Sequence, residues 1–311
     1  MKLLILGAGG IGGYVGGRLV QAGADVSFLV RPARRAQLVA NGLVIHSIKG
    51  DAQLQVKARL SHELDADYDL VLLTCKAYDL DDALVSLAPA MAGNAAILPL
   101  LNGVAHLATL NQHYGAARVL GGVAKIAVTL TAEGVIRHLN DFCYLNFGEQ
   151  NGQPSPRTTA LKTMLDKTDV QALLATDIQR ELWLKLVHLH TIAAMSSLLR
   201  ANVGEILRTP DGPTLFMQML DINLEIARRE GHVPDDAFVA NCRAMFSNRA
   251  SNYEASLARD IERGGRVEAD HVLGDMLAHC RKHGLDDVLH TLAYTGAKAY
   301  EVRRAAQRLP D

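Results

Sequence analysis

A chain of 311 residues exceeds what one hydrophobic core usually fills, so two domains are expected. With 49% hydrophobic and 21% charged residues, the composition is that of an ordinary globular protein, which excludes disordered and fibrous classes. A formal net charge of −1 offers no long-range field to nucleic acid or to an anionic membrane, so neither is an expected partner.

In chain order, residues 3–6 form a short apolar run with no secretory signal before it, and the four cysteines (Cys75, Cys143, Cys242, Cys280) are scattered with no C-x-x-C pair. Both features predict a reducing, cytoplasmic setting. Further strand-like runs lie at 26–30, 70–74 and 95–101, separated by amphipathic or turn-rich connections, and this alternation predicts a doubly wound, mostly parallel sheet flanked by helices. Residues 123–128, 135–138 and 143–147 read as additional strands, 150–156 as a turn, and 170–175 as an edge strand. The expected domains are therefore 1–176 and 177–311. From Thr176 onward the pattern is helical, with Thr176 and Gln179 spaced for a capping box. Residues 182–199 are the least polar stretch, yet they contain Lys185, His188 and His190 and read as a buried helix rather than a membrane span. Pro213 and Gly231 bound a further helix, and 269–283 and 286–307 have helical spacing. The fold class is α/β Rossmann followed by an all-α C-terminal domain.

Immediately after the first strand comes Gly7-Ala8-Gly9-Gly10-Ile11-Gly12, and then a helix that runs to about Ala22. G-x-G-x-x-G alone is a weak signal, but here it leaves a strand, opens a helix and precedes a second strand at the right distance, which is the context of a dinucleotide site. The turn, the close approach of backbone to pyrophosphate and the helix–strand packing each need a glycine, and the helix N-terminus faces the phosphates. At the end of the second strand, where an NAD site places a carboxylate for the ribose 2′-hydroxyl, this chain has Arg31. A guanidinium there suits a 2′-phosphate and favours NADPH/NADP. Arg34 and Arg35 follow, the latter reading as a solvated helix residue. Lys76 and Asn102 fall at the carboxyl ends of later strands, where ligands of open α/β sheets bind.

Lys185 is the one formal charge between Leu182 and Leu199. It either snorkels to the surface or serves proton transfer from a partly desolvated site. His188 shares its helical face and His190 does not. His279 and His283 have metal-pair spacing, but no nearby carboxylate or cysteine completes an evident site, so they read as exposed residues and no metal is expected.

These segments, GAGGIGG with Arg31, TCKAYD with Lys76, LLNG with Asn102, ELWLK with Lys185 and ASLARDIERGGRVEAD over 255–270, resemble in order the ketopantoate reductase (2-dehydropantoate 2-reductase) family. The resemblance implies a Rossmann domain joined to a helical domain like that of 6-phosphogluconate dehydrogenase. It also implies reduction of a 2-oxo acid by NADPH, as in pantothenate biosynthesis, and is compatible with a homodimer formed through the helical domain. By the resemblance, Lys185 matches the proton-donating catalytic lysine, Asn102 an asparagine between cofactor and substrate, Ser256 the serine that holds the substrate carboxylate, and Glu268 a glutamate at the nicotinamide end. Three substrate-binding asparagines of the pantoate enzymes correspond to Leu189, Ala193 and Val203, with Asn202 displaced by one. Besides 2-dehydropantoate, a more apolar 2-oxo acid or carbonyl substrate and a non-catalytic NADPH-sensing role therefore stay open.

Overall fold

The computed structural model describes residues 1–309. By compactness the chain divides into two units: residues 1–101 with 106–181, and residues 102–105 with 182 onward. The division falls after Glu181, inside a helix, rather than at 176, and Asn102–Ala105 separates from the sheet it follows in sequence to join the helical unit.

In unit 1 the strands are β1 (Lys2–Leu6), β2 (Asp25–Leu29), β3 (Leu43–His46), β4 (Ala52–Leu54), β5 (Lys57–Arg59), β6 (Leu70–Leu73), β7 (Ala96–Pro99), β8 (Leu120–Leu130), β9 (Val135–Glu149) and β10 (Gln171–Leu174). Its helices are α1 (Gly10–Gln21), α2 (Pro32–Asn41), α3 (Leu80–Met91), α4 (His106–Tyr114) and α5 (Pro156–Leu165). Among the described residues these strands form two sheets, one in the order β5-β2-β1-β6-β7 and entirely parallel, the other β10-β9-β3-β4 with β8 also on β9. All four residues of β6 and of β7 are buried, as expected of strands covered on both faces.

The second sheet was not legible as such. The runs at 135–138 and 143–147 belong to one strand, β9, because residues 139–142 stand opposite the single Ala127 of β8, whose amide donates to Asn140 Oδ1 at 3.4 Å. This widened register hides the continuity of the strand from any period-two reading. β3, β4 and β5 are three or four residues long, too short to display an alternation.

Unit 2 takes α6 (Ile178–Leu199) from Leu182 on, followed by α7 (Val203–Leu207), α8 (Gly212–Arg229), α9 (Asp236–Met245), α10 (Ser256–Glu262), α11 (Asp275–Lys282) and α12 (Val288–Ala305). The N-cap of α6 is Asp177, whose Oδ1 accepts the Arg180 amide at 3.0 Å, and not Thr176 with Gln179. An ionised carboxylate meets the positive end of the helix better than a hydroxyl one residue earlier. α6 is long and apolar enough to cross a membrane by composition, but 72% of its most apolar stretch is buried inside the protein, so it is the core helix of this unit. Pro213 sits in the first turn of α8 and Gly231 follows its end, as the sequence predicts. The stretch 269–283 is two pieces, a π-helical turn at Asp270–Gly274 and then α11.

Candidate active site

The glycine loop links β1 to α1. Gly7 adopts φ +95°, and a Cβ at Gly12 would collide with the Gly7 carbonyl oxygen and the Thr74 hydroxyl, so neither position admits a side chain without displacement. At Gly9, by contrast, nothing lies within 4 Å of where a Cβ would stand, which leaves the backbone open to a ligand. Ala8 is buried and Ile11 half-buried beneath this turn. Two contacts brace it: Thr74 Oγ1 donates to the Leu6 carbonyl at 2.7 Å, and Arg34 Nε donates to the Ala8 carbonyl at 3.0 Å. With the first-turn amides of α1 aimed outward from Gly10, this cradle fits a pyrophosphate.

Arg31 lies two residues beyond β2 as the N-cap of α2, with its side chain 72% exposed, and its guanidinium meets Asp79 Oδ2 at 3.2 Å. Lys76 begins the short turn after β6 that carries Asp79, so the Arg31–Asp79 pair joins the segments following β2 and β6 on one rim of unit 1. Arg34 is partly committed within unit 1, its Nη1 donating to the Gly134 carbonyl at 2.9 Å and to Gln37, while among the described residues its buried Nη2 makes no hydrogen bond, and burial lowers its pKa. Arg35 pairs with Glu63 at 2.8 Å. Thr74 and Asp79 were not singled out in the sequence. Their only signal is their place beside Lys76 at a strand end.

Unit 2 assembles a second set. The half-buried Lys185 ammonium donates to Asn102 Oδ1 at 3.0 Å, and the Asn102 amide donates to Glu268 Oε2 at 3.5 Å. Residues separated by 83 and 166 positions thus form one hydrogen-bonded chain, with Glu268 only 6% exposed. Gly103, at φ +84°, makes the turn that brings Asn102 here, and it packs on the His271 carbonyl. Lys185 is therefore held by an amide oxygen rather than snorkelled to bulk water. Ser256 opens α10 half-buried, and among the described residues no hydrogen bond links its hydroxyl to this chain.

The three apolar positions divide. Leu189 is half-buried one turn beyond Lys185, whereas Ala193 and Val203 are fully buried in the hydrophobic core. Asn202 caps α7, its Oδ1 accepting the Glu205 amide at 3.0 Å while Glu205 Oε2 accepts the Asn202 amide hydrogen at 2.9 Å. His188 stacks on Phe246 and Tyr253, and His190 is buried against His290. His279 and His283 are not exposed residues without a carboxylate: both meet Glu230 Oε1 at 2.7 Å, with Lys282 on the same group. Glu230 ends α8, far from them in sequence, which is why spacing missed it. Burial alone would raise its pKa, but hydrogen bonds from Lys282, His279 and His283 outweigh it and hold the carboxyl at about 2.

Two family models match the chain, ketopantoate reductase PanE/ApbA over residues 3–152 and ketopantoate reductase PanE/ApbA C terminal over residues 177–301. The chain belongs to the ketopantoate reductase family. Among its relatives, the uncharacterized oxidoreductase YkpB of Bacillus subtilis (strain 168) is 31% identical over 98% of this chain and 100% of its own length. A 2-dehydropantoate 2-reductase of Archaeoglobus fulgidus is 28% identical over 92% of both chains. The crystal structure of a PanE/ApbA family ketopantoate reductase from Ralstonia eutropha JMP134 superposes with a TM-score of 0.88 at 26% identity, covering 98% of this chain and 100% of that one. The ketopantoate reductase family makes this an oxidoreductase acting on a CH–OH group, with a pyridine nucleotide as cofactor.

Proposed function

We propose that the protein is an NADPH-dependent reductase of 2-oxo acids, the substrate class that includes 2-dehydropantoate, with the proton supplied by Lys185. The observation that carries this reading is the Lys185–Asn102 hydrogen bond of 3.0 Å, which positions the one ammonium of an otherwise apolar helix stretch. A bound NADPH supplies hydride to the carbonyl carbon. As negative charge builds on the carbonyl oxygen, the Lys185 ammonium stabilises it and transfers a proton to it, so that C=O becomes CH–OH and a neutral amine is left to recover a proton from solvent. Asn102 Oδ1 aims the ammonium, and Glu268, accepting from the Asn102 amide, fixes which way that amide points. The Ser256 hydroxyl is the candidate partner of the substrate carboxylate. Gly7–Gly12 hold the pyrophosphate, and Arg31 and Lys76 supply positive charge on the same rim.

The test follows NADPH absorbance with purified protein against a panel of 2-oxo acids that includes 2-dehydropantoate. Lys185→Ala is expected to lower kcat roughly 10²- to 10⁴-fold. Tight NADPH binding without turnover of any member overturns the reductase reading and favours a sensor, while unchanged kcat in Lys185→Ala removes that residue from proton transfer.

A further inference from the structure

The reductase reading leaves the substituent on the oxo acid open, and the surroundings of Lys185 on unit 2 speak to it. Lys185, His188 and Leu189 share one face of α6. One turn beyond the ammonium that face offers the half-buried Leu189, which has no amide or hydroxyl, while Ala193 a further turn on is sealed in the core. Beside them the His188 ring lies at 5.2 Å from Phe246 and 5.8 Å from Tyr253, with interplanar angles of 21° and 25°. His188 Nε2 and the Tyr253 hydroxyl meet at 3.0 Å, which pairs their polar ends with each other. Tyr253 remains 39% exposed.

Tyr253 is held by its backbone as well as by its ring. The Val203 amide donates to the Tyr253 carbonyl at 3.0 Å, and the Gly204 amide to the Ser251 carbonyl at 2.9 Å, so the segment before α10 is tied to the start of α7. Ser256 follows three residues later, at the first turn of α10.

On the reductase reading, we infer that Leu189 and Tyr253 form a specificity wall for an oxo acid whose substituent is bulky and apolar or aromatic. A hydroxylated substituent placed against Leu189 would give up hydrogen bonds to water and receive none from that side chain, whereas an apolar one is buried and an aromatic ring stacks.

The experiment measures kcat/KM for 2-oxo-3-phenylpropanoate, 2-oxo-4-methylpentanoate and 2-dehydropantoate in the wild type, Leu189→Asn, Tyr253→Phe and Tyr253→Ala. The wild type is expected to prefer the two apolar acids by about tenfold or more. Leu189→Asn should shift the ratio toward 2-dehydropantoate by about tenfold, Tyr253→Ala should lose the preference chiefly through KM, and Tyr253→Phe should retain it. A wild type that prefers 2-dehydropantoate overturns the wall while leaving the reductase intact, as does a ratio unmoved by both Leu189→Asn and Tyr253→Ala. Absence of turnover on all three acids and on the wider panel overturns the reductase reading, and the wall with it.

Discussion

Single residues decide the cofactor end. Arg31 is the exposed cation that follows β2 and caps α2, and Asp79 holds its guanidinium at 3.2 Å, which keeps the fork on the rim without burying it. Its neighbours have other work: Arg34 braces the Ala8 carbonyl, and Arg35 pairs with Glu63. Discrimination between the two nicotinamide cofactors should therefore depend mainly on Arg31. Arg31→Ala is expected to weaken NADPH binding about tenfold or more and to leave NADH nearly unchanged, as read by fluorescence titration of both cofactors. Equal losses for the two would contradict the 2′-phosphate assignment.

At the level of elements, α6 carries both packing and chemistry. Its apolar length fills the core of unit 2, and Lys185 interrupts that length at one half-buried position. The helix must also start in the right place for Lys185 to meet Asn102. Asp177 sets this start through its bond to the Arg180 amide. Asp177→Ala is expected to cost about 1 kcal/mol in urea unfolding, and Asp177→Ser to recover most of it. Thr176→Ala should be silent by the same measure, because Thr176 caps nothing.

For the molecule as a whole, acid is the sensitive direction. His190 and His290 are fully buried and stacked at 4.7 Å inside unit 2, where His290 Nε2 meets Asn223 Oδ1 at 2.9 Å and the Asn223 amide donates to Thr191. Burial pushes His290 down to about 4 and, with the charge of His290 beside it, holds His190 well below 6.5. Both folded values are depressed, so the unfolded chain takes up protons first. The contribution is complete above pH 6.5 and is lost as pH falls from there toward 4, at about 1.4 kcal/mol per pH unit for each histidine. Urea midpoints measured from pH 7 to pH 5 should fall, and His290→Gln, which keeps a donor toward Asn223 but does not titrate, should flatten the slope by about half. Glu230 acts over a lower range: its depressed carboxyl contributes above pH 4.5 and is lost as pH falls toward 2.

The sequence by itself determined the features that depend on neighbours in the chain. The Gly7–Gly12 turn, the apolar runs of β1, β6 and β7, and the long apolar helix with its lysine all follow from local sterics and periodicity, and the ordered motifs were enough to suggest the family. Only the tertiary structure decided what depends on residues far apart. It took the fold to place Asn102 with the helical unit, to set Glu268 behind it, to deliver Glu230 to His279 and His283, to join two strand signals into β9, and to seal Ala193 and Val203 in the core while Leu189 stays at its edge. The physical reason is the same in each case: a hydrogen bond or a buried contact is fixed by distance in space, and spacing along the chain predicts that distance only within one helix, strand or turn.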